Sequence, residues 1–474
     1  MTSNFEDFIR DCEQAAQNIL SHIKKNGYIQ IFSHMDADGV TAGSIIAKAI
    51  YRSGGNFNLR IIKHINEQLI NQLLQLKCEY YLFSEIGSGY LDLLEKLSET
   101  ATVLIFDHHK PVQGTYPKII HVNPHLHGID GATEVSGSGI SYFLAKNISN
   151  ENIDLAYLAI VGALGDLQDK NEHRTLHGLN QIIVDDAVKD GQLEVSTDLL
   201  FYGRETRPIH KAIASMMNPF IPGLSGEEDK CLGFLVNLGI SLKQNDKWST
   251  LADLSSEEKQ KIFSQITMYL SSKGYSSSSI LSLLGNVYTL LKEDKWTPLR
   301  DAREFASLLN ACVKVKKAGV GLALCLGNKV ESLVEAQTML TEYRKTLAKY
   351  IGQLHASPER MVESEDICLI KCEGIVDEHL LSPITTILSI SGIFNPSKPL
   401  IAMTKTEEGE VTISARANET LTSKGLNIGV VMQKAAEKVN GRGGGHNVAA
   451  GATIPLGAEE NFLQAVSQLV KEMM

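Results

Sequence analysis

One short run limits the fold of this chain more than any other. Tyr28 to Phe32 is largely apolar and reads as a buried strand, which passes through Ser33 into His34-Met35-Asp36-Ala37-Asp38-Gly39. Three potential metal ligands thus sit at alternate positions just beyond a strand. In extended backbone alternate side chains point the same way, so His34, Asp36 and Asp38 can converge on one point. Gly39 permits a tight turn, and Val40 to Tyr51 reads as the helix that follows it. Loops past the carboxyl ends of strands are where open α/β sheets place their chemistry. Taken alone, the run is equally a polar strand-to-helix loop with a capping Asp.

Three further stretches tip that balance. Thr102 to Phe106 is another buried strand, followed at once by Asp107-His108-His109. Tyr80 to Phe83 leads into Ser84-Glu85-Ile86-Gly87-Ser88-Gly89, and Ala159 to Leu164 ends at Gly165-Asp166. Four acidic or His-bearing element ends in one segment favour a metal cluster over unrelated loops. Leu59 to Ile62 and Ile119 to Val122 are additional strands. With helices between them, they predict an α/β domain whose mostly parallel sheet is covered on both faces. Glu134 to Gly139 precedes another helical run. Its amides either face an anion at the helix N-terminus or serve close packing.

After about residue 200 the pattern becomes mainly helical, and 201–332 reads as an insertion. Arg204 and Arg207 at its start either touch a phosphate backbone or form a solvated pair. Leu333, Ala336, Leu340, Tyr343, Leu347, Tyr350 and Leu354 form one apolar stripe, which predicts a connector helix over 333–356. A smaller C-terminal α/β domain is expected over 357–474. There Leu400 to Lys405 and Val411 to Ala415 flank Glu407-Glu408-Gly409-Glu410, a hairpin signal, and Arg416 ends the second strand. Asn440 to Asn447 contains Arg442, Gly443, Gly444, Gly445 and His446 and has no apolar side chain. It reads either as a flexible loop or as backbone that lets amides approach a phosphate or base.

Composition narrows the setting. The formal net charge of −10 counts against a large sequence-independent DNA footprint, though not against a narrow groove over metal ions. Seven cysteines without a Cys-x-x-Cys pair argue against a zinc site. No apolar run approaches the ~20 residues that span a bilayer, and the acidic start lacks a signal peptide's apolar core. A cytoplasmic protein with no membrane association is expected.

The succession His-x-Asp-x-Asp-Gly, Asp-His-His and Gly-Asp, with Gly-Gly-Gly-His near the C-terminus, resembles the DHH phosphoesterase superfamily. Length and arrangement are most similar to its RecJ-like single-strand exonucleases, the archaeal branch in particular. The resemblance covers both ends of the chain and the stretch from about 200 to 330 only weakly. It implies two divalent metal ions, Mn²⁺ first, with Mg²⁺ or Co²⁺ as alternatives. His34 and Asp36 would hold one, and Asp38, His108 and Asp166 the other. Glu85 falls where the family has a bridging Asp. His109 would contact the scissile phosphate, Asp107 would orient a neighbouring His, and Arg416 with Gly443, Gly444, Gly445 and His446 would hold the nucleotide. Glu85 is one methylene longer than that Asp. A displacement of about 1 Å costs on the order of 100-fold in rate, so a slow enzyme or a shifted metal preference is expected.

Three functions follow from the resemblance. The first is an exonuclease that degrades single-stranded DNA, or RNA, to mononucleotides in replication or repair. The second is a weakly active or inactive RecJ-like subunit associated with GINS and the replicative helicase. The third is a phosphodiesterase acting on oligoribonucleotides or cyclic dinucleotides.

Overall fold

The computed structural model describes residues 3–76, 78–216, 219–244, 246–275, 277–391 and 393–474; Met1 and Thr2, where the N-terminal segment starts, lie outside them. The chain forms two compact units, 1–340 and 341–474.

The first unit runs α1 (Ser3–Lys24), β1 (Tyr28–His34), α2 (Ala37–Arg52), β2 (Asn56–Ile62), α3 (Glu67–Gln75), β3 (Tyr80–Ser84), α4 (Leu91–Ser98), β4 (Thr102–Phe106), β5 (Ile119–Val122), α5 (Gly137–Ile148), α6 (Ala156–Gly165) and α7 (Leu179–Lys189). Its five strands form one sheet in the order β2-β1-β3-β4-β5, every pair parallel. Alternation along the strands divides the core. Ile29, Ile31, Leu82, Leu104 and Phe106 pack with α1, α2, α5 and α6. Phe32, Tyr81, Phe83, Val103 and Ile105 pack with Ile70, Leu73, Leu91, Leu94 and Leu97 of α3 and α4. Both faces are therefore covered, as continuous apolar strands require.

The chain then leaves this core. β6 (Leu193–Leu199) is followed by α8 (Ile209–Ala214), α9 (Glu228–Asn237), the short hairpin β7 (Lys243–Gln244) and β8 (Lys247–Trp248), α10 (Ser256–Ser272) and α11 (Ser277–Leu281). β9 (Leu284–Leu290) then pairs antiparallel with β6. This excursion has its own core, which includes Phe201, Ile213, Leu235, Ile266 and Leu283. The expected insertion of 201–332 is too long. α12 (Ala302–Lys314) and α13 (Ala318–Leu326) bury Phe305, Leu308, Leu309 and Leu324 in the first core, because β9 has already closed the excursion onto β6. Arg204 fits neither of its two readings. Arg204 is buried, 2.6 Å from Asp198, which also takes Lys259 at 2.7 Å. Arg207 lies over the Tyr202 ring.

The connector is one helix, α14 (Val330–His355). Leu333, Ala336, Met339 and Leu340 belong to the first unit's core, and Tyr343, Leu347, Tyr350 and Leu354 to a core of the second unit.

The second unit continues with β10 (Met361–Glu363), β11 (Cys368–Lys371), α15 (Glu378–Ile390), β12 (Leu400–Lys405), β13 (Glu410–Arg416), α16 (Glu419–Ser423), α17 (Ile428–Glu437), β14 (Arg442–Gly445), β15 (Ala449–Pro455) and α18 (Glu459–Met473). Its sheet has the order β10-β11-β12-β13-β15-β14. α17 and α18 cover one face; α15 and the second half of α14 cover the other. The glycine run is thus an edge strand and not a loose loop. A Cβ at Gly443 would lie 2.5 Å from the Met432 carbonyl, so glycine there lets β14 lie directly against α17.

Candidate metal centre

β1, β3 and β4 are parallel neighbours, so their carboxyl ends emerge side by side. That places His34, Glu85 and the Asp107-His108-His109 run at one edge of the sheet, and the end of α6 adds Asp166. Candidate ligand atoms gather in three overlapping groups, each within 4.8 Å: His34, Asp36 and Glu85; Asp38, His108 and Asp166; and Glu85, His108 and His109. Glu85 is shared by two of the three.

Each group is held by specific bonds. Asp36 caps α2, accepting from the Gly39 amide at 2.7 Å, and its other oxygen meets His34 Nδ1 at 2.7 Å. Asp38 is buried and accepts from the amides of Gly137 at 2.8 Å and Ser138 at 3.1 Å. The anion at the start of α5 is therefore the protein's own carboxylate. His108 Nδ1 faces the Gly131 carbonyl at 2.5 Å, which directs Nε2 towards Glu85 Oε1, 3.1 Å away, and Asp166 Oδ2, 3.8 Å away. Asp107 belongs to none of the three groups. It accepts from the Ser88 amide at 2.8 Å and holds His109 Nδ1 at 2.8 Å.

The electrostatics are those of a negative cradle. Burial first, then the charge of Asp38, pushes the Glu85 carboxyl well above the usual carboxylate range. Loss of solvation, then Asp38 and Asp36, pushes Asp166 up to about 6. Burial opposes ionisation of Asp107, but His109 overcomes it and holds that carboxyl low. Burial likewise opposes protonation of His109, yet Asp107 and then Glu85 raise it to about 9.

These residues suit a divalent cation. Among the described residues, Glu85 Oε2 is buried and accepts no hydrogen bond. No Lys or Arg there forms an ion pair with Asp36, Asp38, Glu85 or Asp166. A buried carboxylate oxygen without a partner is costly unless a cation completes it. The donors are all oxygen or imidazole nitrogen, which fits Mn²⁺ or Mg²⁺ better than a thiolate-rich zinc site.

In the second unit, Arg416 donates to Thr386 Oγ1, Ser382 Oγ, Ser414 Oγ and the Ala415 carbonyl. Arg416, Gly444, Gly445 and Ser382 share the wall of a cavity of about 360 Å³. Gly443 and His446 are not on that wall.

Two residues that position the site have roles a reading of the sequence does not assign. Gln168 donates to the Gly131 carbonyl at 2.9 Å and to Asp166 at 3.0 Å, while its own carbonyl accepts from Asn180. It ties the carbonyl that holds His108 to a carboxylate of the same group, yet in sequence it is a neutral residue between two loop acids. Gly137 is the other: a Cβ there would collide with Glu85 Oε2. The sequence marks it only as part of the glycine run at the start of α5, with nothing to tie it to Glu85. Asp169 has a partner elsewhere, Arg303 of α12, at 2.5 Å.

Residues 201–284 match the DHH-CID domain model and residues 392–472 the DHHA1 domain model. The uncharacterized protein MJ0831 of Methanocaldococcus jannaschii is 30% identical over 465 residues, covering 97% of this chain and 96% of that one. RecJ from Thermus thermophilus, solved in complex with Mn²⁺, is similar with TM-score 0.59 and 16% identity over 98% of this chain and 55% of that chain; this chain spans about half the length of that RecJ. CDC45 from Entamoeba histolytica gives TM-score 0.65 and 14% identity, covering 98% of this chain and 99% of that chain. At such identities these structures show the fold alone. With the DHH-CID and DHHA1 domains and a fold like that of RecJ, the chain belongs to the DHH superfamily.

Proposed function

We propose that this protein is a metal-dependent phosphodiesterase that removes nucleotides from single-stranded DNA or RNA. The observation that carries the reading is the buried, unpartnered Glu85 oxygen between two groups of potential ligands. His34 and Asp36 would hold one cation, Asp38, His108 and Asp166 the other, and Glu85 would serve both. Superfamily members are typically metal-dependent phosphoesterases, and RecJ has been solved with Mn²⁺. When bound, two divalent cations lower the pKa of a coordinated water and neutralise charge on the phosphoryl group.

The chain's own residues supply the rest. Asp107 keeps the half-exposed His109 protonated, so its ring can donate to a phosphoryl oxygen. The Gly131 carbonyl fixes His108 for ligation through Nε2. Arg416, Gly444 and Gly445 would receive the nucleotide's phosphate or base.

The test uses end-labelled DNA strands, RNA strands and dinucleotides with Mn²⁺, Mg²⁺, Co²⁺ or EDTA. Metal-dependent release of mononucleotides from long strands is the expected result. Rapid dinucleotide turnover with intact strands would replace this reading with a small-substrate phosphodiesterase. Absence of hydrolysis in every metal would leave a replication or repair binding subunit.

A further inference from the structure

The excursion between β6 and β9 carries the chain's two tryptophans on or beside its surface, and both are open to solvent. Trp248, on β8, is 44% exposed, and Trp296, just past β9, is 58% exposed. Side chains with this much apolar area usually lie largely buried. Each ring has an ammonium over it: Lys243 Nζ lies 4.9 Å from the Trp248 centroid and Lys247 Nζ 5.5 Å from the Trp296 centroid. Lys243 lies opposite Trp248 across the hairpin and Lys247, next along β8, reaches Trp296, so the hairpin carries two lysine–tryptophan pairs. His210 packs against the Trp248 ring at 4.8 Å. Trp296 has φ +61° and donates its indole N–H to Asp253 at 3.4 Å. Left-handed backbone is strained for a bulky residue and persists only where the surroundings hold it.

Among the described residues, neither Lys243 nor Lys247 pairs with a carboxylate. In a chain of net charge −10, residues 201–284 carry nine basic and eight acidic residues, so this segment adds no net repulsion of its own against a polyanion. Exposed indoles next to free ammonium groups match the needs of an unpaired strand, whose base faces are open for stacking while its phosphates demand cations. A duplex hides its base faces, and a purely apolar partner would leave two lysines desolvated without a counter-charge.

We propose that Trp248, Trp296, Lys243 and Lys247 form a landing surface for single-stranded nucleic acid, with bases stacked on the indoles and phosphates paired with the lysines. This extends the single-strand reading given above and assigns it a second contact region in the first unit. Because the chain has no other tryptophan, intrinsic fluorescence reports on this surface directly.

The full-length protein is titrated with an oligothymidylate of about 12 nucleotides in EDTA, following tryptophan emission and the anisotropy of a labelled strand together. Quenching that saturates with the anisotropy is expected. Trp248→Phe and Trp296→Phe should each remove part of the signal. Trp296→Ala should weaken strand binding about tenfold, within the range for loss of one stacked base. Lys243→Ala with Lys247→Ala should reduce the salt slope by about 1.4, the share of two phosphates on a single strand. Dinucleotide hydrolysis should be unchanged in all four. Strand binding with unaltered emission would overturn the proposal while leaving the phosphodiesterase reading intact. Quenching without hydrolysis in any metal would do the reverse. An equal response to polyglutamate would also overturn it and assign the surface to an acidic protein.

Discussion

Glu85 occupies a left-handed backbone position, φ +60°, with its amide donating to the Phe106 carbonyl at 2.8 Å. Its unusual length is absorbed by Gly137, where even a methyl group would collide with Oε2. Gly137→Ala should therefore displace the Glu85 carboxylate and weaken Mn²⁺ binding at least tenfold by calorimetry. The double variant with Glu85→Asp, which withdraws the carboxylate, should recover much of that loss. If both variants bind Mn²⁺ like the parent protein, Glu85 does not touch the metal. The length of Glu85 was legible in the sequence. Its compensation was not, because Gly137 is 52 positions away and its role is to have no side chain. The same residues set a pH dependence. With Asp166 raised to about 6, the folded metal-free protein keeps a proton that the unfolded chain loses near 4, so stability falls as pH rises across that window. His109, raised to about 9, contributes stability below its ordinary 6.5 and loses it as pH climbs through 9. A divalent cation would take the place of the Asp166 proton. Added Mn²⁺ should accordingly raise Tm little at pH 5 and markedly at pH 7.5; an equal rise at both would refute the ligand role of Asp166.

At the level of elements, β1, β3, β4 and β5 were readable because each is a short, largely apolar run, whereas β2 alternates polar and apolar residues and was read only from Leu59, and β6 to β9 were not read as strands. Their adjacency was not, since the order β2-β1-β3-β4-β5 is fixed by helix packing and crossover handedness. α12 and α13 were assigned to the insertion because an amphipathic pattern does not say which core its apolar face will join. The structure supplies the reason for their place. Arg303 on α12 meets the buried Asp169 at 2.5 Å, lies over the Tyr288 ring, and donates to the Asn286 carbonyl of β9. Asn310 on the same helix accepts from the Ala37 amide, at the start of α2 between Asp36 and Asp38. α12 thus braces the candidate metal centre from behind. Arg303→Met should leave Asp169 buried without a partner and cost about 2–4 kcal/mol, somewhat less than a fully buried pair because Arg303 is partly exposed. Adding Asp169→Leu should restore part of that stability in urea unfolding. Equal midpoints for Arg303→Met and the parent protein would show that Asp169 does not need Arg303.

For the molecule as a whole, α14 decides where the second unit begins. The apolar stripe along it lies on one continuous helix, and each half serves a different core. From Tyr343 onwards, Leu347 and Leu354 pack with Ile370, Leu400 and Ala402 on one face of the six-stranded sheet. The opposite face is closed by α17 and α18 without help from α14. Burying a Leu contributes about 1.5–3 kcal/mol, so losing Leu347 and Leu354 with the partly buried Tyr343, Tyr350 and Ile351 removes on the order of 5 kcal/mol or more. Single domains are stable by only about 5–15 kcal/mol in total. A fragment of residues 341–474 should unfold cooperatively in urea. A fragment of 357–474, which matches the boundary suggested by sequence pattern alone, should keep its strands yet bind a hydrophobic dye and lose a sharp transition. Matching midpoints and slopes for the two fragments would show that the second half of α14 is dispensable to this core, and would move the unit's true start to Ser357.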